Sequence, residues 1–246
     1  MGLGPGDPAL TAPLATDALS RAQVVAGYST YLDLVPPGLL AGKQLISTGM
    51  TGEVERCVMA IESALSGKDT VVVSGGDAGV YGMAGLVLEL LEQRELLDVV
   101  ELEVVPGIPA LNGAAALLGA PLTHDFACVS LSDLLTPWEL IKKRLDFAAA
   151  ADFVLVLYNP RSRRRSGLLA QAFEIIGKHR SPQTPVGIVR QAWRAGQTVR
   201  IDTLSSVDPQ AVDMLTIVIV GNSQTRIAGQ KMLTPRGYSQ KYGMAE

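Results

Sequence analysis

Short apolar segments alternate with longer segments of helical periodicity along this chain, and that alternation restricts its fold more than any other feature. Residues 44–48 and 70–74 are predicted strands, and residues 54–65 between them have the spacing of a helix. A strand, a helix and a strand in succession favour a parallel sheet covered by helices, because parallel strands need a long crossover connection. A further strand is predicted at 99–105 and a further helix at 83–93.

The second half of the chain keeps this alternation with less helix. Because little helix separates its last strands, an antiparallel or mixed sheet is expected there. Pro106-Gly107-Ile108-Pro109 and Gly119-Ala120-Pro121 interrupt the chain near its middle. We therefore predict an α/β protein of two domains, residues 1–112 with a mainly parallel sheet and 113–246 with a mixed sheet, and an active site in the cleft between them. The elements predicted in this half are strands at 126–131, 153–157, 186–189, 198–201 and 216–220 and helices at 110–118 and 138–149.

Composition narrows the class of protein. Of 246 residues, 48% are hydrophobic and 5% aromatic, so the cores must be mainly aliphatic. A net charge of -3 gives no basic footprint for nucleic acid. The only cysteines, Cys57 and Cys128, have no metal-ligand spacing, and two thiols cannot form a disulfide scaffold, which favours a reducing compartment. We find no signal peptide and no membrane-length apolar run, and we predict a cytoplasmic protein without a bound metal.

Three glycine-containing segments mark candidate binding loops. The segment 74–82 directly follows an apolar strand and precedes a helix, where open α/β sheets bind ligands. Its Asp77 can accept hydrogen bonds from ribose hydroxyls or an ammonium group, or can cap the helix instead. The segments 2–7 and 105–110 are weaker signals, since either can be an ordinary turn.

Two polar segments are candidates for catalysis and for substrate binding. His124-Asp125 can form an acid or base poised near neutral pH, with Ser130 and Ser132 on one strand face nearby. Residues 161–165 contain four arginines directly after a strand, which suits an anion site better than a solvated helix face.

Together these residues resemble the tetrapyrrole (corrin/porphyrin) methylases over essentially the whole chain. The resemblance rests on Gly4-Pro5-Gly6-Asp7, Ser74-Gly75-Gly76-Asp77, Val105-Pro106-Gly107 and Val218-Ile219-Val220-Gly221, in that order. The segments 79–85, 124–126, 130–138, 158–162 and 234–238 look like the members that methylate C17, and 49–57 looks like the cobalt-dependent branch. One departure is that only Met1 to Leu3 precede Gly4, so the first sheet is expected to lack or shorten its central strand.

The resemblance implies S-adenosylmethionine as cofactor, a homodimer, and C17 methylation of a tetrapyrrole, with or without cobalt, coupled to ring contraction in cobalamin biosynthesis. It also implies the positions of the cofactor contacts. The implied contacts are Pro5, Gly75, Gly76, Asp77, Val80, Tyr81, Pro109 and Ala110 in the first domain and Tyr158, Asn159, Ala192 and Thr216 in the second.

The chemistry adds candidates for substrate binding and proton transfer. The substrate carries several carboxylates, so an acidic protein needs concentrated positive charge where it binds. We assign Arg161, Arg163, Arg164 and Arg165 to that role and take Asp7 as a further substrate-binding candidate. His124, Asp125, Ser132 and Asp133 are the catalytic candidates.

Other functions remain open from sequence alone. One alternative is a methylase of the same fold that acts on another corrin intermediate or on a modified histidine. The others are a nicotinamide oxidoreductase and a tetrapyrrole carrier. The glycine spacing disfavours the oxidoreductase, because it does not match the dinucleotide fingerprint. The segment 130–138 disfavours the other methylases.

Overall fold

The computed structural model describes residues 1–49, 51–161 and 167–243. The chain divides into two compact units, Met1–Ala110 and Leu111–Glu246. Throughout the described ranges, no helix is both long and apolar enough to cross a membrane.

The first unit contains a parallel sheet, as the alternation of elements predicted. Its strands are β1 (Val24–Tyr28), β2 (Gln44–Thr48) and β3 (Thr70–Val72), and the helices are α1 (Pro13–Arg21), α2 (Ser29–Leu32), α3 (Pro37–Leu40), α4 (Glu53–Leu65) and α5 (Ala84–Gln93). The strand order is β2-β1-β3, and α4 packs on all three strands. The buried face of α4 carries Cys57, Ala60 and Ile61, which follow helical spacing.

Two details of this sheet differ from the sequence prediction. Strand β1 was not predicted, and its burial on both faces explains why it shows no alternating pattern. The prediction of a strand at 99–105 is wrong, since these residues adopt no strand. One hydrogen bond, from Gly2 N–H to the Val105 carbonyl oxygen at 3.0 Å, joins this segment to its neighbour, which is too little for a ladder.

The first residues of the chain do extend the sheet beside β3. Ser74 N–H donates to the Met1 carbonyl oxygen, and Leu3 N–H donates to the Ser74 carbonyl oxygen, both at 2.9 Å. Gly2 and Ser74 form an isolated parallel bridge. These contacts place Gly4 at the carboxyl end of β3.

The second unit contains a mixed sheet of five strands, and its mixed character was predicted. The strands of this unit are β4 (Gly119–Ala120), β5 (Phe126–Ser130), β6 (Val154–Tyr158), β7 (Pro185–Arg190), β8 (Thr198–Thr203), β9 (Thr216–Val220), β10 (Arg226–Ala228) and β11 (Lys231–Leu233), and the helices are α6 (Ala110–Leu118), α7 (Trp138–Ala150), α8 (Leu168–Gly177) and α9 (Tyr238–Tyr242). The five-stranded sheet has the order β5-β6-β9-β7-β8, in which β5 and β6 are parallel and the other neighbours antiparallel. A separate three-stranded sheet has the order β10-β11-β4.

An aliphatic core joins this five-stranded sheet to α7 and α8. Leu145, Leu155, Leu169, Ile176 and Val218 in this core are all 0% exposed. Each such side chain contributes about 1.5–3 kcal/mol relative to exposure. The strand directions then place the carboxyl ends of β5, β6 and β7 and the amino end of β9 at one edge of the sheet.

Candidate functional site

Two glycine loops meet at the carboxyl end of β3. Gly4 N–H donates to the Gly76 carbonyl oxygen at 3.0 Å, and Gly76 N–H donates to the Gly4 carbonyl oxygen at 2.8 Å. Gly4 and Gly76 have φ angles of +76° and +72°, which glycine adopts at low cost. The loops predicted at 2–7 and 74–82 are therefore locked together by their backbones.

A third loop, residues 105–109, lies against this pair at backbone contact distance. A Cβ atom added to Gly107 would lie 2.3 Å from the Gly76 carbonyl oxygen and 2.9 Å from the Gly2 Cα atom. No side chain fits such a gap. All three predicted glycine segments are thus parts of one loop cluster, and Gly107 is required by close packing.

The Asp77 carboxylate holds the loop cluster together. Its Oδ2 accepts hydrogen bonds from Gly79 N–H at 2.7 Å and Val80 N–H at 3.1 Å, and its Oδ1 accepts one from Gly107 N–H at 2.8 Å. These hydrogen bonds give Asp77 a positioning role within the loop cluster, and its role as a ligand acceptor stays a prediction. A carboxylate offers about four acceptor positions, so one remains for a ligand hydroxyl.

The remaining first-unit candidates lie in the same loop cluster. Tyr81 is 55% exposed and has a φ angle of +53°, a strained conformation typical of functional loops. Asp7 is exposed and accepts a hydrogen bond from Ala9 N–H at 2.9 Å, so it caps the 3-10 turn Pro8–Leu10. The loop cluster contains Pro5, Gly75, Gly76, Asp77, Val80, Tyr81 and Pro109, with Ala110 at its end.

Tyr31 is a loop-cluster neighbour that sequence reasoning missed. A Cβ atom added to Gly75 would lie 2.6 Å from the Tyr31 Cε1 atom, so the ring packs directly on the glycine backbone. Tyr31 in turn contacts Tyr28 edge-on, with 5.5 Å between ring centroids. Both tyrosines were overlooked because β1, which positions them, was not predicted.

The second-unit candidates also lie at one sheet edge. The Tyr158 hydroxyl accepts a hydrogen bond from Leu111 N–H at 3.0 Å, which positions the first turn of α6. Asn159 has a φ angle of +52°, and its Nδ2 donates to Ser130 Oγ at 2.9 Å. Ser132 N–H donates to the same oxygen at 3.3 Å. The ends of β5 and β6 are therefore joined by polar contacts.

A second polar group joins the ends of β7 and β9 at this edge. Arg190 Nε donates to Asp213 Oδ2 at 2.7 Å, and Thr216 Oγ1 donates to Asp213 Oδ1 at 2.8 Å. Partial burial alone raises the pKa of Asp213. The hydrogen bonds and the charge of Arg190 outweigh that effect and hold the pKa below its ordinary value.

The backbone on either side of Ala192 is strained. Gln191 and Trp193 have φ angles of +49° and +60°, and the Trp193 indole N–H donates to the Gly113 carbonyl oxygen at 3.0 Å. Ala192 itself is 9% exposed. The sequence carried no signal for this geometry, because a left-handed backbone at glutamine and tryptophan follows from tertiary contacts.

The expected grouping of His124 with Ser132 is wrong. His124 and Asp125 precede β5, whereas Ser132 and Asp133 follow it. A strand of 5 residues is roughly 17 Å long, so the two pairs lie at opposite edges of the sheet. His124 Nδ1 accepts a hydrogen bond from Asp125 N–H at 2.8 Å, and Asp125 Oδ2 lies 3.8 Å from it.

Of the four arginines at 161–165, the structure describes only Arg161. Arg161 Nη1 donates to the Gln210 carbonyl oxygen and, at 3.4 Å, to the Val212 carbonyl oxygen. Part of its donor capacity therefore holds the segment that leads to β9. Arg163, Arg164 and Arg165 lie outside the described residues.

Arg56 is a second residue that sequence reasoning missed as a site candidate. It is 2% exposed, and its Nη1 donates to Thr48 Oγ1 at the end of β2. A signal was available, because Arg56 occupies a position on the apolar face of α4, next to Cys57 and one turn before Ala60.

Comparison with known proteins agrees with these landmarks. The model for the family of Tetrapyrrole (Corrin/Porphyrin) Methylases matches residues 1–208. A probable cobalt-factor III C(17)-methyltransferase of Salmonella typhimurium is 50% identical over 239 residues, which cover 97% of this chain and 98% of the relative. A precorrin-3B C(17)-methyltransferase of Sinorhizobium sp. is 38% identical over 245 residues, which cover 97% of this chain and 96% of the relative.

A solved structure gives the same result for the fold. The crystal structure of the methyltransferase CobJ superposes with a TM-score of 0.90 and 39% sequence identity, covering 95% of this chain and 97% of that one. With a family model that spans most of the sequence and relatives matched over nearly their full length, this chain belongs to the tetrapyrrole (corrin/porphyrin) methylases.

Proposed function

We propose that this protein transfers a methyl group from S-adenosylmethionine to C17 of a tetrapyrrole in cobalamin biosynthesis, with contraction of the ring. The names of the relatives that match over nearly their full length support C17 as the position that is methylated. The relative named for cobalt-factor III is 50% identical, and the one named for precorrin-3B is 38% identical. That difference favours the cobalt-bearing substrate.

The observation that carries the proposal is the loop cluster at the carboxyl end of β3. Three backbone segments converge there, and Asp77 ties two of them with hydrogen bonds of 2.7–3.1 Å. The carboxyl ends of parallel strands are where open α/β sheets bind ligands. The remaining acceptor position of Asp77 and the exposed Tyr81 ring suit a ribose and an adenine ring.

The cofactor fits the chemistry that these residues can perform. Bound S-adenosylmethionine supplies an already activated methyl group, so no protein nucleophile is needed. The residues of the chain have to bind both reactants, orient them and exclude water. Such positioning supplies about 7–11 kcal/mol of the barrier in favourable cases. The locked glycine backbone and the strained Tyr81 and Asn159 are features of a preorganised site.

We assign the proton transfers of ring contraction to Ser132 and Asp133 in preference to His124 and Asp125. Ser132 N–H bonds to Ser130 Oγ, which also accepts from Asn159, so this pair belongs to the polar edge of the second unit. His124 lies at the opposite end of β5.

We assign the substrate carboxylates to the arginine run at 161–165, and a further polar contact with the substrate to Asp7. Arg163, Arg164 and Arg165 add three positive charges directly after β6, in a chain whose net charge is -3. Guanidinium groups bind carboxylates through paired hydrogen bonds.

We further propose a homodimer in the cytoplasm, as the family resemblance implies. Cys57 and Cys128 are not joined by a disulfide, which agrees with a reducing compartment. Burial raises the pKa of each thiol to about 11, so both stay protonated. Sedimentation velocity on the purified protein tests the oligomeric state, and a monomer at micromolar concentration would contradict it.

A competition experiment tests the proposed function. The protein is titrated calorimetrically with S-adenosylmethionine and then incubated with equal amounts of cobalt-factor III and its metal-free counterpart. We expect saturable cofactor binding and methylation of the cobalt compound first. Cofactor binding without methylation of either compound would refute the proposed substrate class.

A further inference from the structure

Arg56 is a buried arginine near the carboxyl end of β2. It lies in the first turns of α4 and is 2% exposed, on the face that also carries Cys57 and Ala60. A guanidinium is always charged and has five N–H donors. Burial of such a group is unfavourable unless its charge and its donors are matched.

The surroundings of Arg56 do not match its charge. Nη1 donates to Thr48 Oγ1, and Nη2 lies 3.9 Å from Met83 Sδ, a weak acceptor. Within residues 1–49, 51–161 and 167–243, Nε has no hydrogen-bond partner. Over the same ranges, no carboxylate forms an ion pair with Arg56, although Glu53 and Glu55 lie on the same helix.

Arg180 shows what a structural buried arginine looks like in this chain. It is 8% exposed, and its donors reach the carbonyl oxygens of Gly221 at 3.2 Å, Ala149 at 2.6 Å and Phe153 at 2.9 Å. Asp152 Oδ1 lies 3.3 Å from its Nη1. Arg56 lacks both features, so a structural role explains it poorly.

The position of Arg56 indicates a ligand. Thr48 is the last residue of β2 and is half-buried. The guanidinium therefore lies next to the ligand-binding edge of the sheet, separated from it by the Thr48 side chain. Met83 precedes α5, and its N–H donates to Ser74 Oγ at 3.0 Å at the start of the glycine loop. Arg56 therefore lies between the end of β2 and the loop cluster.

We propose that Arg56 binds a carboxylate of the tetrapyrrole substrate at this edge, displacing the Thr48 hydroxyl. The inference rests on the proposed function, since it takes the substrate to be a polycarboxylate. The planar guanidinium fork suits a carboxylate, and the charge left unmatched in the free protein is matched when the substrate binds.

The carboxylate of S-adenosylmethionine has the same chemistry, but the sheet order favours the substrate. Strand β1 lies between β2 and β3, and the glycine loop follows β3. Two strand spacings amount to about 10 Å across the sheet edge. A broad macrocycle with several carboxylates spans that distance from a cofactor held at the glycine loop.

The test compares three single variants with the wild-type protein. Arg56→Met removes the charge, Arg56→Lys retains it, and Arg94→Met removes one charge from an exposed position at the end of α5. Binding of cobalt-factor III is followed by its absorbance, binding of S-adenosylmethionine by calorimetry, and stability by thermal unfolding without ligand.

We expect Arg56→Met to raise the dissociation constant of cobalt-factor III by about 10-fold or more, the loss typical of a hydrogen bond to a charged group. Arg56→Lys should lose part of this affinity and Arg94→Met none. All variants should bind S-adenosylmethionine within about twofold of wild type. The Tm of ligand-free Arg56→Met should equal or exceed that of wild type, because an unmatched buried charge is removed.

Three results would overturn the inference. Wild-type affinity of Arg56→Met for cobalt-factor III would leave Arg56 a role in folding alone, and a lowered Tm in both Arg56 variants would agree with that. Loss of S-adenosylmethionine affinity alone would assign the carboxylate to the cofactor. A wild-type protein that does not bind cobalt-factor III would refute the proposed function, and the inference with it.

Discussion

Single residues at the loop cluster act through backbone geometry more than through their own chemistry. The Asp77 carboxylate accepts hydrogen bonds from the N–H groups of Gly79, Val80 and Gly107. Gly107 contributes by lacking a side chain, since its Cα hydrogen faces the Gly76 carbonyl oxygen. Both residues are therefore expected to affect stability and cofactor binding together.

Replacement of Asp77 should weaken both properties. Asp77→Ala removes three charge-assisted hydrogen bonds that order the loop, so we expect a loss of about 2 kcal/mol in the free energy of unfolding and at least a tenfold weaker affinity for S-adenosylmethionine. Urea unfolding and calorimetry measure the two effects. The exposed Asp98→Ala serves as control, and unchanged cofactor affinity in Asp77→Ala would remove Asp77 from the site.

Replacement of Gly107 tests the close packing of the three loops. Gly107→Ala forces a Cβ atom to within 2.3 Å of the Gly76 carbonyl oxygen, so the loops must separate. We expect destabilisation of about 1–3 kcal/mol and weak cofactor binding. Gly38→Ala is the matched control, because a Cβ there meets nothing within 4 Å. Equal unfolding midpoints for the two variants would show that the loops are not held as described.

At the scale of elements, strand direction decides which polar groups can cooperate. The ends of β5, β6 and β7 and the start of β9 share one edge, and this edge carries Tyr158, Asn159, Ala192 and Thr216. The same geometry places His124 at the other end of β5. His124 and Ser132, which are close in sequence, thus lie at opposite ends of β5. Arg190 and Asp213, which are distant in sequence, form a hydrogen bond.

The opposite ends of β5 should differ in their effect on turnover. We expect His124→Ala to keep kcat within about threefold of wild type, since it lies away from the polar edge, and Asp133→Asn to lower kcat by 10²-fold or more as a proton-transfer residue. Steady-state kinetics with cobalt-factor III measures both. A strong loss in His124→Ala with normal Asp133→Asn would reverse our assignment.

The Asp213–Arg190 contact between the ends of β7 and β9 should make stability pH-dependent. The pKa of Asp213 is lowered in the folded protein, so its contribution is present above the usual aspartate pKa of about 4 and is lost as pH falls through the lower folded value. We expect Asp213→Asn to lower the Tm at pH 7 and to approach wild type near pH 3. A constant difference in Tm over this range would contradict the ion pair as its cause.

At the scale of the whole molecule, the local sequence pattern predicted most strands of the large sheets but missed β1. The strands β6, β7 and β9 have clear apolar runs, and the mixed character of the five-stranded sheet followed from the scarcity of helix after β7. Strand β1 was missed although it is buried on both faces as β6 and β9 are; its apolar run, Val24-Val25-Ala26, is short and is followed by Gly27.

The candidate site was predictable where glycine spacing marks it and less so elsewhere. The three glycine segments converge as expected, whereas the strained backbone at Gln191 and Trp193 depends on contacts from distant parts of the chain. The unmatched charge of Arg56 likewise appears only once Thr48 and Met83 are brought to it. Local periodicity cannot report contacts of that kind.

The position of the transferred methyl group tests the central claim most directly. The protein is incubated with cobalt-factor III and S-adenosylmethionine labelled with ¹³C at its methyl group, and the product is examined by NMR and mass spectrometry. We expect a single labelled methyl group on C17 of a contracted macrocycle. A label on another ring position, or no label in the tetrapyrrole, would contradict the proposed activity.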